Sequence, residues 1–122
     1  MPRSRGSTSS TLVRARVWVE REGGIALTDA GADLLEQIEA KGSLSEAARS
    51  LRFSYRHAWK LLDIMNRLWD KPLVVTAVGG KQGGGARLTE LGGRVLRSFR
   101  DLQVHVEALI DLELEGFRRA TR

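Results

Sequence analysis

Apolar and polar positions alternate through residues 12–20, with Val13, Ala15, Val17 and Val19 on one side and Arg14, Arg16 and Trp18 on the other. A period of two predicts a strand. Gly23-Gly24 marks a turn, and residues 25–27 return as a short paired strand. From residue 28 the period lengthens. Leu34, Leu35 and Ile38 fall at helical spacing behind an acidic first turn, Asp29 and Asp33, with Thr28 or Asp29 as the cap and Lys41-Gly42 as the stop. Ser43, with Glu46 three residues later, is a capping-box signature for a second helix whose inner face is Ala47, Ala48 and Leu51. Arg52-Phe53 makes the next turn, and Ser54 caps a third helix. There Ala58, Leu61, Leu62 and Met65 follow the spacing of one buried stripe.

The opposite stripe of that third helix is Arg56, Lys60, Asp63 and Arg67, flanked by Tyr55, His57 and Trp59. Pro72 stops it. Residues 73–77 and 86–88 read as two strands of a hairpin bridged by a glycine-rich loop at 79–85. Thr89 caps a last helix that extends to about residue 115. Within it Val95, Phe99, Leu102, Val106 and Leu109 step by four and three, with Ile110 beside them, as in an apolar seam between two helices. About 26 residues at 1.5 Å each give roughly 39 Å, more than a small domain covers, so part of the seam is expected to meet a second subunit. The expected architecture is mostly α with small β: a winged helix-turn-helix with an N-terminal β-hairpin and a long C-terminal dimerisation helix. Residues 1–11 are expected as a disordered basic tail, 12–115 as the DNA-binding domain with its dimerisation helix, and 116–122 as a flexible basic C-terminus.

Length and composition narrow the chemistry. A chain of 122 residues with 42% hydrophobic residues fits one domain able to bury a core unaided. There is no cysteine, which removes disulfides and thiolate metal sites. No apolar run approaches the roughly 18 residues of a membrane span, and the first eleven residues lack the apolar stretch of a signal peptide, so a cytoplasmic location is expected. The net charge is +5, and its placement says more than its size. Residues 29–46 carry five acids against Lys41 alone, residues 49–100 carry eleven cations against Asp63, Asp70 and Glu90, and residues 101–115 carry five acids and no cation. Such segregation predicts a cationic face between acidic regions, as a polyanion-binding surface requires.

Arg56 and Lys60 lie one helical turn apart on the outer face of the third helix, where they are expected to reach base edges or phosphates. Ser54 and Tyr55 open that helix, where free N–H groups and a hydroxyl hold a phosphate. His57 flanks the same face, and Arg67 ends it. Ser43 and Ser45 at the start of the second helix, with Arg52 in the turn, complete the expected backbone contacts. In the loop, Gly80, Gly83 and Gly84 let backbone N–H groups approach a ligand, and Lys81, Gln82 and Arg87 supply polar contacts to phosphates or the minor groove. The loop is not a nucleotide cradle, because Lys81 is followed by Gln82 rather than Ser or Thr. Trp59 is expected to be partly buried under the wing or first helix, and Trp18 and Trp69 to be packing residues. With only His57 and His105 as histidines and no nucleophile–base pairing, neither a catalytic nor a metal site is expected, and no cofactor.

Gly42-Ser43-Leu44-Ser45 with Ala47-Ala48, then Ser54-Tyr55, Ala58-Trp59 and Met65-Asn66, form a recognisable series. Gly79-Gly80-Lys81, Gly83-Gly84-Gly85-Ala86, Leu88-Thr89 and Leu91-Gly92 follow. The series resembles the N-terminal domain of the ModE family of molybdate-responsive regulators, and more loosely the DNA-binding domain of LysR-type regulators. It covers about residues 12–114, and the Ser-Tyr-x-x-Ala-Trp pair followed by the glycine-rich wing carries most of it. The resemblance implies DNA binding and dimerisation. Full-length members also carry a C-terminal pair of small β-rich domains that bind molybdate, which a sequence stopping at Arg122 is expected to lack.

Together these readings predict a sequence-specific regulator. Two copies joined by the last helix, with help from the N-terminal strand, would place two recognition helices in successive major grooves about 34 Å apart on a pseudo-palindromic operator. Arg94, Arg97 and Arg100 would add phosphate contacts. Two alternatives remain open from sequence: a winged-helix module binding an acidic protein, and a dimer that takes molybdate or another oxyanion in a basic pocket.

Overall fold

The computed structural model describes residues 10–77 and 85–122. The chain is mostly helical with two small antiparallel hairpins, in the order β1 (Val19–Arg21), β2 (Gly24–Leu27), α1 (Asp29–Lys41), α2 (Leu44–Ser50), α3 (Tyr55–Leu68), β3 (Val74–Thr76), β4 (Ala86–Leu88) and α4 (Glu90–Ala120). Each helix begins as its first residues dictate. Thr28, Ser43, Ser54 and Thr89 are extended N-caps whose hydroxyls accept from the backbone N–H three residues on, at Gly31, Glu46, His57 and Gly92. Gly42, at φ 72°, closes α1 by donating to the Ile38 carbonyl. Its own carbonyl then accepts from Ala86 N at 3.0 Å, which fixes β4 to the end of α1.

Leu34, Leu35 and Ile38 of α1, Ala47 and Ala48 of α2, and Ala58, Leu62 and Met65 of α3 form the centre of one core. Leu27, Leu73 and Val74 close it from the hairpins, and Leu96 and Phe99 from α4. The near-zero exposure of Ala47, Ala48 and Ala58 shows why these positions are alanine: no longer side chain would let the helices meet at that spacing. Asn66 on α3 holds β3 in place. Its Oδ1 accepts from Leu73 N and Val74 N, and its Nδ2 donates to the Val74 carbonyl. Gly92 lets α4 lie against the same strand, since a Cβ there would stand 2.1 Å from the Leu73 carbonyl oxygen.

Three expectations are corrected. The strand expected over residues 12–20 contracts to Val19–Arg21, because β2 is four residues long and offers no backbone partner further back. Residues 13–17 instead run beside α4, with a cleft of about 750 Å³ between them and Gln103, Val106 and Ile110. Arg118 donates to the Thr11 carbonyl at the far end. The last helix runs past residue 115 to Ala120, so residues 116–120 are helical rather than a flexible tail. Glu115 faces Arg118, Arg119 and Arg122 there, and cations suit the negative end of the helix. Phe99, expected in the dimerisation seam, is 3% exposed within the chain's own core, and Val95 is half-buried against it. Leu102 and Leu109 of that seam stay exposed, while Val106 and Ile110 are half-buried.

Candidate nucleic-acid interface

Helix α3 follows α2 across a short turn and turns its two faces in opposite directions. Ala58, Leu62 and Met65 are buried, while Tyr55, Arg56, Trp59, Lys60, Asp63 and Arg67 are exposed. Leu61 is half-buried at the margin. Arg56 and Lys60 make no ion pair or hydrogen bond among the described residues, so both charges are free to meet a ligand. Arg67 differs: its Nε donates to Asp63 Oδ2 at 3.1 Å, one helical turn back. That exposed pair is weak, but it neutralises the cation expected at this end of the face.

The start of α3 is compact. Ser54 Oγ accepts from His57 N at 3.0 Å and keeps its own proton to donate. His57 stays exposed, edge-on to Phe53 with ring centroids 4.9 Å apart. Tyr55 and Trp59 meet edge to face at 6.2 Å. Arg52, in the turn, is exposed at φ 60°, a left-handed conformation unusual for a residue with a side chain. On α2, Ser43 Oγ lies 3.1 Å from Ser45 Oγ and accepts from Glu46 N. Arg49, which sequence reasoning passed over, is exposed on α2 and lines a recess with Ser45, Phe53 and Tyr55. Its signal was available: it lies on the polar side of a helix whose inner side is alanine.

Arg87 is exposed in β4, opposite Val75. The remaining wing residues, Gly80, Lys81, Gln82, Gly83 and Gly84, lie outside the described residues. Trp59 is 41% exposed, the partial burial expected of it, and the wing residues expected beside it lie outside the described residues. Trp18, expected as a packing residue, is 49% exposed with its Nε1 donating to Glu20 Oε2. Trp69 is half-buried beneath Arg21, whose guanidinium carbon is 4.6 Å from the ring centroid.

The arginines of α4 are tied to carboxylates. Arg100 donates to Asp33 Oδ1 at 2.7 Å and to both carboxylate oxygens of Glu36, and Gln103 continues the network to Asp29. The Glu36 hydrogen bond, with help from Asp33, raises the Arg100 guanidinium above its ordinary value against the opposing effect of burial. Arg97 is 3.8 Å from Glu39, and Arg94 is 3.8 Å from Glu90. The phosphate role expected of Arg100 is therefore replaced by a link between α4 and the acidic α1. The segregated charges of the sequence meet each other here.

No helix among the described residues is long and apolar enough to cross a membrane. No family model matches the chain. It is 38% identical over 113 residues to the molybdenum transport protein ModE of Azotobacter vinelandii, covering 93% of this chain and 42% of that one. Against the DNA-binding transcriptional dual regulator ModE of Escherichia coli K12 it is 40% identical over 74 residues, 61% of this chain and 28% of that one. Against the molybdenum-pterin-binding protein MopA of Rhodobacter capsulatus it is 42% identical over 66 residues, 54% of this chain and 25% of that one. The chain spans less than half the length of the curated relatives it matches. Over the part of those proteins that it spans, the chain is a homologue of the ModE proteins.

Proposed function

We propose that this chain is the DNA-binding portion of a molybdate-linked transcriptional regulator and has no catalytic role. In this reading α3 enters the major groove, Arg56 and Lys60 contact bases or phosphates, and the β3–β4 hairpin is a wing beside it. Ser43, Ser45, Ser54 and Arg52 hold the flanking backbone. Two copies joined through α4 present two such helices to a pseudo-palindromic site. The observation that carries the proposal is the division of α3: its inner face is locked in the core, while Arg56 and Lys60 project without a partner among the described residues. The names of the Escherichia coli and Azotobacter relatives, a DNA-binding transcriptional dual regulator and a molybdenum transport protein, support the DNA-binding and molybdenum halves of the reading respectively.

The test is selection of bound duplexes from a random DNA pool, followed by fluorescence anisotropy on the selected duplex and a scrambled one. Arg56→Ala should weaken specific binding by about 1–3 kcal/mol and relax base preference at one position. Equal, small losses on both duplexes would remove Arg56 from base recognition. Failure to enrich any sequence would favour the acidic-protein reading instead.

A further inference from the structure

Among the exposed residues of α3, the feature that charge does not explain is the aromatic pair. Tyr55 is 54% exposed and Trp59 is 41% exposed, on a face whose other exposed residues include Arg56 and Lys60. The Trp59 Nε1 has no hydrogen-bond partner among the described residues, unlike that of Trp18, which donates to Glu20. The ring is nevertheless held. Its helix is anchored by buried Ala58 and Leu62 on either side in sequence, and Tyr55 meets it edge to face. A large apolar surface fixed between two free cations fits a partner that is polyanionic and also presents small apolar patches. In the major groove of duplex DNA the group with that character is the C5-methyl of thymine.

We infer that Trp59, supported by Tyr55, reads a thymine methyl group in the major groove. The inference rests on the DNA-binding reading and adds a base to it. Trp59 lies three residues beyond Arg56, about 4.5 Å along the helix axis at 1.5 Å per residue. Duplex steps are about 3.4 Å. The thymine under Trp59 is therefore expected one or two base pairs from the base that Arg56 contacts. Trp59 is a specificity residue on this account, and its contribution disappears when a single methyl group is removed from the DNA.

The experiment uses the full chain and the duplex selected above, with each thymine replaced in turn by deoxyuridine. Wild-type binding should weaken about 3–10-fold at one position in each half-site. Trp59→Ala should bind the thymine duplex with a similar loss and no longer distinguish thymine from deoxyuridine at that position. Arg56→Ala should keep the distinction. If thermal melting shows that Trp59→Ala fails to fold, Trp59→Gln serves in its place. Equal wild-type affinity for thymine and deoxyuridine at every position would overturn the methyl contact while leaving DNA binding intact. A Trp59 variant that keeps the full deoxyuridine penalty would overturn the assignment to Trp59. A pool that enriches no sequence would overturn both this inference and the reading on which it stands.

Discussion

Arg52 sits in the left-handed region between α2 and α3, a position that glycine occupies without steric cost. Keeping a β-carbon there costs on the order of 1–2 kcal/mol, against which glycine's greater freedom in the unfolded chain offsets about half. Arg52→Gly is therefore expected to stabilise the protein by about 0.5–1 kcal/mol in urea unfolding. If the guanidinium holds a phosphate, the same variant should bind DNA several-fold more weakly, with a salt dependence shallower by about one counterion. Greater stability with unchanged binding would leave the arginine without a role on DNA. At this scale the sequence was informative about which way a helical side chain faces. The outward placement of Arg56 and Lys60 follows from the 3.6-residue period, whereas Arg67, expected on the same DNA-facing stripe, pairs with Asp63 one turn back. The engagement of Arg100 by Asp33 and Glu36 was not legible, since it joins residues 64 and 67 positions apart.

The four capping residues and the buried stripes of α1 to α3 could be read locally because each cap satisfies its own helix and each stripe repeats with the turn. What could not be read was how elements meet. Residues 12–18 alternate like a strand, yet a strand exists only where another backbone accepts it, and β2 is too short. Gly92 and Asn66 stand out in the sequence only as members of a motif, whereas the fold gives both a task at β3. Gly92→Ala should cost about 2–4 kcal/mol, since the added carbon meets a backbone carbonyl that cannot rotate aside. Displacing β3 should also lower DNA affinity, so chemical unfolding and anisotropy should fall together. A folded Gly92→Ala protein with wild-type stability would mean that α4 and β3 can separate freely. The Arg100 network makes a second demand on the position of α4. Arg100→Ala should cost about 1 kcal/mol, the pairs being partly exposed. Because the folded-state value of Arg100 is raised, its stabilisation is complete below the unfolded-state value and fades only as pH rises beyond it. The arginine itself should thus add no pH dependence between about pH 6 and pH 9, which thermal melts of the two proteins across that range would check.

For the molecule as a whole, the uneven charge along the chain resolves into two different uses. The acids of α1 meet Arg97 and Arg100 in the first half of α4, whereas Arg49, Arg52, Arg56 and Lys60 remain exposed around α2 and α3. Sequence alone showed the excess of cations over residues 49–100 but not which of them were already engaged, because that depends on α1 and α4 packing together. Helix α4 also has more length than its own fold uses. Its 31 residues extend about 46 Å at 1.5 Å each, and its buried residues end at Phe99. Beyond them, residues 13–17 lie near Val106 and Ile110, while Leu102, Leu109 and Leu112 remain exposed. A second copy applying the same surface to itself about a two-fold axis would cover them. Leu109→Glu tests this directly, because Leu109 is 57% exposed and its replacement leaves the core untouched. In sedimentation the wild-type chain should be a dimer and the variant a monomer with unchanged helical content. Its affinity for a two-half-site duplex should fall at least about tenfold towards that for a single half-site, since the second recognition helix is no longer carried to the DNA with the first. A variant that still sediments as a dimer would move the subunit contact elsewhere on the molecule. A wild-type monomer that binds the full site tightly would dispense with the two-fold arrangement altogether.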